Sequence, residues 1–359
     1  MLGTFGVIAV AGALIVLLGP VAVWAGGATV RRIADPLARA QAINTTRQTL
    51  LTAVGGTVAL VAVTFTARAY YLSRRGQATS RFSVAIGHLA SDKITERVGG
   101  AYELEHVMID SAVDHATVVD VLATFVRERS PLLLAAASAD PEAVQADVQA
   151  ALSVLGRRPD RDEHNYVDLS GAALCQANLS RGRFSGAKLD GVQWDCVNLA
   201  SASLDHSWMR GARLRGCDLW QASMSRAHAA AVDLTGAKMV GAVAVASDLA
   251  GAQLAGAEAI DAVFNGSDMS SSKLMNGRFD GASFVGANLS EADLTGASLK
   301  GADMRRANLT RARLDKADLE GALLAGALLD HVDLSSARNL TASQTAVAVL
   351  TEHTEPPGA

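Results

Sequence analysis

The chain has 359 residues, of which half are hydrophobic, 19% are charged and only 4% are aromatic. Its formal net charge of −4 at pH 7 argues against both a nucleic-acid-binding polycation and a polyanionic protein. The three cysteines form no Cys-x-x-Cys pair, which argues against a disulfide framework and against a thiolate zinc site.

The N-terminal segment, residues 1–75, predicts a transmembrane helical hairpin. No charged residue precedes Arg31, and the apolar run of residues 5–25 is long enough to cross a bilayer core of about 30 Å. A second uncharged window ends in two tyrosines and two arginines, as at a membrane interface, and places the second span at about residues 48–70. The first run lacks a basic start and a small-residue cleavage site, so we expect a retained anchor rather than a signal peptide. A buried soluble hairpin is the remaining alternative.

Asp35 followed by Pro36 predicts a helix start between the two spans, with an N-cap side chain and proline at the first helical position. Two spans place both chain ends on one side of the membrane. Basic residues are equally frequent in the loop and after the second span, so they do not fix the orientation. The three thiols favour a cytoplasmic location for the C-terminal part.

Residues 80–158 have helical periodicity and predict a small α-helical segment. Val98, Tyr102 and Ile109 share one helix face, with Leu104 and Val107 beside them, and we expect this face to point inward. Asp114 and Asp140 are candidate N-caps of two further helices.

From Leu169 to Leu334 every fifth residue is apolar, through 34 consecutive pentads. The residue two places earlier is always small, and it lies on the same side of an extended chain, so both face inward. A period of five fits neither a helix nor a strand, so the chain must turn a corner at each repeat. One inward side chain per pentad is buried only by stacking on other coils, and the pattern therefore predicts a β-solenoid. The clearest members of the core ladder are Leu169, Leu174, Leu179, Leu189, Leu289, Leu294, Leu299, Leu309, Leu314 and Leu319.

This pattern resembles the pentapeptide repeat family, written A-(D/N)-L-x-x, because Asp or Asn precedes the apolar residue in 13 pentads. The resemblance covers residues 165–337. It implies a right-handed quadrilateral β-helix with four pentads per coil. At roughly 4.8 Å per coil, about 8.5 coils would form a rod roughly 40 Å long.

The helical segment resembles the region that precedes such repeats in two-span bacterial proteins. The shared motifs are Leu89-Ala90-Ser91-Asp92-Lys93, Arg97-Val98-Gly99-Gly100-Ala101 and Val154-Leu155-Gly156-Arg157-Arg158-Pro159. The resemblance implies a multi-pass protein of a bacterial cell membrane. The segment is interpreted either as an adaptor or as a cap over the open N-terminal end of the rod, and both interpretations stay open.

Residues 338–359 break the period and predict a C-terminal cap helix and a disordered tail. Thr341 is a candidate N-cap for a helix reaching Leu350. Such a helix would cover the last coil, whose exposed edge would otherwise invite end-to-end pairing.

The eight histidines show no spacing typical of metal ligands, and we interpret them as solvated. The sequence therefore predicts no metal, cofactor or catalytic residue. His88, Asp92 and His106 are the candidate group in the helical segment, and the interpretation without a site is favoured.

Cys175 and Cys196 are 21 residues apart and both point outward on successive coils, within disulfide reach. They are a candidate redox pair, and the alternative is two free surface thiols. Cys217 falls on an inward small position.

Trp208 and Trp220 occupy outward positions and are candidate partner-surface residues, since exposed aromatics anchor protein partners. The alternative is that they lie flat over small neighbours. Trp194 stands at an inward position, where we expect it to swell its coil rather than to turn outward. A basic run at residues 300–316 is interleaved with acidic residues, which predicts a salt-bridged face.

Three functions are compatible with these features. The favoured one is a non-enzymatic, membrane-anchored scaffold for an unknown protein partner, with no small-molecule substrate, because a four-sided rod lacks a cleft. The first alternative is a DNA mimic that binds a type II topoisomerase, of the gyrase-protection type; the repeat, with 19 acidic and 16 basic residues, argues against it and against nucleic acid binding. The second is an enzyme activity in the helical segment. A homodimer stays open.

The repeat is weakest where alanine takes the apolar position, at Ala229, Ala244 and Ala259. Replacing a buried leucine by alanine typically costs about 2–5 kcal/mol. We therefore expect faster amide hydrogen exchange in residues 226–264 than in residues 280–329. Exchange at equal rates in the two segments would contradict this expectation.

Overall fold

A computed structural model describes residues 21–25, 27, 30, 32–136, 145–161, 166–351, 353 and 354. The chain divides into two compact units, Met1–Thr79 and Ser80–Ala359. In chain order the elements are α1 (Ala22–Ala25), α2 (Pro36–Leu89), α3 (Ile94–Asp110), α4 (His115–Ala136), α5 (Ala146–Gly156), β1 (Ala173–Cys175), β2 (Gln193–Asp195) and α6 (Ala342–Thr345).

Helix α2 begins where the sequence predicted. The Asp35 side chain accepts a hydrogen bond from the Leu37 amide at 3.1 Å, and Pro36 is the first helical residue. Its first 36 residues, Pro36–Tyr71, are long and apolar enough to cross a membrane, and none of their most apolar window is buried. Among the described residues this is the single such helix. The first predicted span lies, apart from residues 21–25, outside the described residues, so the two-helix hairpin stays a prediction.

Helices α3, α4 and α5 pack on one another in the second unit. The predicted inward face of α3 is right for Leu104 and Val107, which are buried, but wrong for Tyr102 and Ile109, which are 39% and 49% exposed. Ala101 and Met108 complete the buried face. Gly100 explains the rotation, because a methyl group there would lie 2.7 Å from the Leu89 amide nitrogen, so α3 presents its smallest residues to the end of α2. The predicted N-cap Asp140 lies outside the described residues.

An almost fully buried ion pair joins α3 to α5. The Arg97 Nε atom lies 2.6 Å from the Asp147 carboxylate, and the two side chains are 4% and 0% exposed. Arg97 also donates to the backbone carbonyls of Ser91 and Asp92 at 2.8 Å. Asp147 also lies 3.2 Å from Arg129, so removing Asp147 is the change that would leave the buried Arg97 charge without its carboxylate, which is far more costly than losing a surface pair.

The repeat segment forms a solenoid in which residues 20 apart pair in parallel. Bridges run from Asp168↔Lys188 to Asn308↔Leu328 without a change of register. Each coil therefore contains four pentads, as the resemblance implies, and each pentad forms one side. The amide before each core residue donates to the preceding coil, as Lys188 N does to the Val167 carbonyl at 2.9 Å. The right-handed winding stays a prediction.

All 34 predicted core positions point inward, and each is at most 3% exposed. The fully buried indole of Trp194 lies edge-on to Phe184 at 6.5 Å, so the prediction that it does not turn outward is confirmed. Two of the three alanines in the ladder, Ala244 and Ala259, have a phenylalanine on the same side in the following coil, Phe264 and Phe279. With Phe284 these rings form one aromatic cluster, which adds bulk beside the small positions.

Every corner from residue 171 to residue 331 has a positive φ angle at the second residue after the core position. A positive φ at the third residue of a four-residue turn, together with a hydrogen bond between its ends, is typical of a type II turn. In the turn of residues 229–232, the Val232 amide donates to the Ala229 carbonyl at 3.1 Å. Only 16 of these 33 corners are glycine; the other 17 place L-residues at φ between 51° and 60°. The solenoid therefore imposes a left-handed backbone conformation on residues that do not prefer it.

The Asp or Asn before the core residue has a structural role. In all 13 pentads that carry it, its Oδ1 atom accepts a hydrogen bond from the backbone amide two residues later, at 2.7–3.3 Å. This Asx-type contact fixes the start of the corner. The residue type is thus selected by turn geometry and not by charge, since Asn and Asp serve equally.

The helical segment closes the N-terminal edge of the solenoid. In later coils the amide before each core residue donates to the preceding coil, but the first coil has none before it. The Ala173 amide donates to Ser130 Oγ at 3.1 Å, the Asn178 amide to Gln149 Oε1 at 2.9 Å, and the Arg183 amide to the Gly156 carbonyl at 2.8 Å. Helices α4 and α5 thus replace the missing coil on three of its four sides.

The C-terminal edge is closed differently from the prediction. Thr341 does N-cap a helix, with a reciprocal capping box to Gln344, but α6 ends at Thr345 and not at Leu350. The chain after it returns to the solenoid, and Val349 pairs with Leu328. The alternating Ala-Val-Ala-Val sequence suits a strand, and the open edge supplies its hydrogen-bond partners. Of the predicted disordered tail, residues 355–359 lie outside the described residues.

The imposed corner conformation can be tested at Ala231, an exposed corner with φ of 57°. Glycine adopts positive φ without the steric cost that an L-residue pays there, about 1 kcal/mol or more, although it loses more entropy on folding. We expect Ala231→Gly to raise the free energy of unfolding by about 0.5 kcal/mol in urea titrations.

The matched control is Ala237→Gly, at a fully buried inward position. Here the lost methyl group and the added chain entropy act in the same direction, so we expect destabilisation of about 1–2 kcal/mol. Equal destabilisation by both substitutions would show that the corners are not strained.

Candidate functional site

The two candidate partner tryptophans are both exposed, but they do not share a surface. Trp208 and Trp220 are 43% and 48% exposed. They belong to pentads that are two apart, and four pentads complete a coil, so they lie on opposite sides of the solenoid. A partner that lies flat on one side can therefore contact only one of them.

Trp208 stacks on its neighbour in the next coil. Its ring lies 4.3 Å from that of His228, at an interplanar angle of 23°. The indole thus packs face to face on an outward imidazole, and both interpretations of Trp208 stay open.

Trp220 heads a row of exposed apolar side chains. Val240 and Ile260 occupy the equivalent position in the next two coils, and both are partly exposed. Across the adjacent corner, Val243 and Val263 pair in successive coils and are also partly exposed. We call these five residues the Trp220 patch. Most outward positions elsewhere on the solenoid carry polar or charged residues, although Leu323 and Leu328 near its C-terminal end are also exposed, at 48% and 43%.

The charged side chains of the solenoid are largely paired between coils. Ion pairs link Arg213 to Asp195 at 2.8 Å and Arg278 to Glu258 at 2.8 Å. In the basic run, Lys300 lies 2.8 Å from Glu320, and the Arg305 guanidinium lowers the pKa of the Asp303 carboxyl. The predicted salt-bridged face is confirmed.

The three thiols occupy different environments. Cys175 is half-buried and pairs in register with Asp195, so Cys196 lies one residue further along, exposed at a corner. Burial, and then the neighbouring Cys196, raises the pKa of the Cys175 thiol. Burial raises the pKa of Cys217 to about 12, and its thiol donates to the Trp194 carbonyl at 2.7 Å. All three are free in the structure, and the redox pair stays a prediction.

Among the described residues, the disfavoured candidate group of His88, Asp92 and His106 is not one of those whose ligand atoms lie together. His88 contacts Glu103 at 2.8 Å, and the Asp92 carbonyl accepts from Arg97. His106 lines a separate groove of about 360 Å³ with Arg81, Val84 and Glu103. A larger groove of about 540 Å³ lies between the end of α2 and α4, with apolar walls that include Leu89 and Phe125.

Sequence spacing missed a second group at the C-terminal edge. The ligand atoms of Asp330, His331 and His353 all lie within 4.8 Å of one another. The two imidazoles stack at 4.2 Å with an interplanar angle of 12°. The histidines are separated by 22 residues, two more than one coil of 20. The pair depends on the path of the closing segment, which the repeat period does not determine.

Comparison with known proteins identifies the repeat. A sequence model described as pentapeptide repeats, in eight copies, matches residues 165–193, 183–216, 209–243, 247–286, 274–311 and 312–341. No curated protein matches the chain.

Several solved structures are similar. HetL, a pentapeptide repeat protein involved in heterocyst differentiation regulation from the cyanobacterium Nostoc, is 30% identical over 47% of this chain and 88% of its own, with a TM-score of 0.23. A pentapeptide repeat protein from the thylakoid lumen of Arabidopsis thaliana is 32% identical over 28% of this chain and 72% of its own, with a TM-score of 0.24. QnrB1, a plasmid-mediated fluoroquinolone resistance protein, is 18% identical over 51% of this chain and 88% of its own, with a TM-score of 0.30. At these TM-scores the superpositions say nothing about function.

The thiol environments lead to a reactivity prediction. Alkylation at pH 8 should modify Cys196 and Cys175 but leave Cys217 unmodified until the protein unfolds, because a buried thiol with a pKa of about 12 holds almost no thiolate. Mild oxidation before alkylation should protect Cys175 and Cys196 together, as detected by mass spectrometry of the peptides.

Cys196→Ser is the control for that protection. In this variant Cys175 should become alkylated after oxidation, because its partner is gone. Full alkylation of both thiols in the oxidised wild-type protein would eliminate the redox pair.

Proposed function

Because the chain belongs to the pentapeptide repeat family, we propose that it is a non-enzymatic scaffold for protein–protein interaction, anchored in a bacterial cell membrane. The Trp220 patch is the observation that carries this proposal. Its members project from consecutive coils, and the inter-coil hydrogen bonds hold their backbone in place. Exposed apolar rows framed by polar residues are typical of protein interaction surfaces.

Rigidity supports a binding role. A partner that binds such a surface does not have to order it, so little conformational entropy is lost on association. Trp220, 48% exposed, offers the large aromatic side chain that often dominates binding energy. The partner is a protein of unknown identity, and no small-molecule substrate or cofactor is proposed.

Helix α2 supports membrane anchoring. Leu60, Val61 and Phe65, in its middle, are each about two-thirds exposed or more, at 66%, 65% and 73%. Apolar side chains so exposed on a long helix need a non-aqueous environment. With residues 5–25 as the first span, the proposed anchor is a two-helix hairpin, and the proposed orientation places the repeat in the cytoplasm.

The helical segment then serves as an N-terminal cap. Oxygen atoms of Ser130, Gln149 and Gly156 accept hydrogen bonds from amides of the first coil, which supports this role over that of a loose adaptor. A capped edge keeps the solenoid from pairing end to end with another copy.

The paired charges disfavour mimicry of DNA. A mimic needs a continuous acidic surface, whereas basic residues neutralise the acidic side chains between coils here, as in Arg215 with Asp233 at 2.5 Å and Arg313 with Asp293 at 3.1 Å. Topoisomerase binding is therefore the disfavoured alternative, and the photocrosslinking experiment below also tests it.

Site-specific photocrosslinking in cells tests the proposal. A photoreactive amino acid replaces Trp220 or Ile260 in the full-length chain, and Gln253, on another side of the solenoid, is the matched control. We expect the first two positions to crosslink to the same membrane-associated protein and Gln253 to give no such product. A second substitution, Val240→Asp, should abolish the product, because it places a charge in the patch.

Equal crosslinking at all three positions, or none at Trp220 and Ile260, would contradict the patch as the binding surface. Capture of a topoisomerase, together with inhibition of gyrase supercoiling by the purified protein, would contradict the scaffold proposal and support the DNA-mimic alternative. Protease accessibility in right-side-out vesicles tests the orientation, since a cytoplasmic repeat should stay protected until the vesicles are opened.

A further inference from the structure

Three metal-binding side chains converge where the closing segment returns to the last coil. The His331 Nε2 atom lies 3.9 Å from the Asp330 carboxylate, and the His353 Nδ1 atom lies 3.5 Å from it. The carboxylate thus faces nitrogen atoms of both imidazoles. The three side chains are between 36% and 52% exposed, so a hydrated ion can reach them.

The backbone holds the group together from two directions. His331 occupies a solenoid corner with φ of 56°, and Asp330 directly precedes it. His353 lies in the closing segment, beyond the pairing of Val349 with Leu328. Two threonines on either side of it attach that segment to the last coil: Thr351 Oγ1 donates to Asp330 Oδ1 at 2.5 Å, and Thr354 Oγ1 donates to the Leu329 carbonyl at 2.7 Å.

We propose that Asp330, His331 and His353 form a binding site for a divalent transition-metal ion of the zinc class. Two imidazole nitrogens and one carboxylate oxygen are a ligand set that proteins use for zinc and related ions. In a tetrahedral zinc site with bonds of about 2.0–2.1 Å, ligand atoms lie about 3.4 Å apart. Here they lie within 4.8 Å of one another, and the stacked imidazoles would turn out of parallel so that a nitrogen of each points at one ion. Water completes the coordination on the exposed side.

The carboxylate is prepared for this role. Thr351 Oγ1 donates a hydrogen bond to Asp330 Oδ1 and so orients the carboxylate, as hydrogen bonds from outside the ligand set commonly do at metal sites.

The ion would lock the closing segment onto the solenoid. Asp330 and His331 belong to the last coil and His353 to the segment that covers it, so one ion joins two parts that otherwise meet through a few hydrogen bonds. Metal binding is thereby coupled to protection of the C-terminal edge. This role is independent of any partner that binds the Trp220 patch.

Zinc binding by the full-length chain in detergent tests the site. The protein is purified without a polyhistidine tag and carries Cys175→Ser and Cys196→Ser, which removes thiolate ligands. Isothermal titration with Zn²⁺ should show one ion per chain. His331→Ala and His353→Ala should each weaken binding at least tenfold, and Asp330→Asn should weaken it as well.

His206→Ala is the matched control, because His206 occupies the same corner conformation in another coil, with φ of 58°. It should leave the Zn²⁺ affinity unchanged. Hydrogen exchange adds a second measurement: Zn²⁺ should slow exchange in residues 346–354 and leave residues 226–264 unaffected, and His353→Ala should remove this effect without disturbing the coils.

The proposal is overturned if Zn²⁺ at 100-fold molar excess does not bind. It is also overturned if the His331→Ala, His353→Ala double variant binds with wild-type affinity, or if bound Zn²⁺ leaves exchange in residues 346–354 unchanged.

Discussion

The solenoid depends on one constraint, the parallel hydrogen bonding of each coil to the coil 20 residues away. This register places core residues above one another, so each aliphatic side chain is buried by its counterparts and not by its own coil. The same register forces a left-handed backbone at every corner, including those of Arg181 and Lys316, where the side chain has no preference for it. Strain at the corners is thus offset by hydrogen bonds along the sides. The 20-residue register also arranges the outward residues in rows along the solenoid. Val240 and Ile260 therefore lie in the same row as Trp220.

At both edges of the solenoid, backbone groups of the end coil lack a neighbouring coil to bond with. Unrelated structures bind these groups at the two edges. At the N-terminal edge, side chains from two helices, Ser130 and Gln149, accept from amides that no coil can satisfy. At the C-terminal edge, the Gln344 side chain donates to the Leu319 and Ala322 carbonyls, and a short strand adds backbone hydrogen bonds. Each edge presents both donors and acceptors that lack a neighbouring coil. At the N-terminal edge the Gln149 side chain also donates to the Asn178 carbonyl at 2.8 Å, and at the C-terminal edge the Leu329 amide donates to the Val349 carbonyl at 3.1 Å.

The features that depend only on the five-residue period could be predicted from the sequence. The inward ladder, the burial of Trp194 and the outward thiols all follow from counting in fives. What it could not predict depends on contacts outside the repeat. Tyr102 and Ile109 lie on a plausible helix face, but packing of Gly100 against the end of α2 rotates that face outward. Thr341 starts a helix as predicted, yet the open edge draws the following residues into a strand. The approach of His353 to His331 depends on that strand, so spacing along the chain could not reveal it.

The 20-residue coil also constrains how the gene can change length. Loss of one pentad would shift every later side chain by a quarter of the perimeter and bring different residues beneath Trp220. Loss of four consecutive pentads would shorten the rod by one coil and leave each remaining row on its own side. Length variation in whole coils would therefore preserve the surface pattern, while any smaller step would rearrange it.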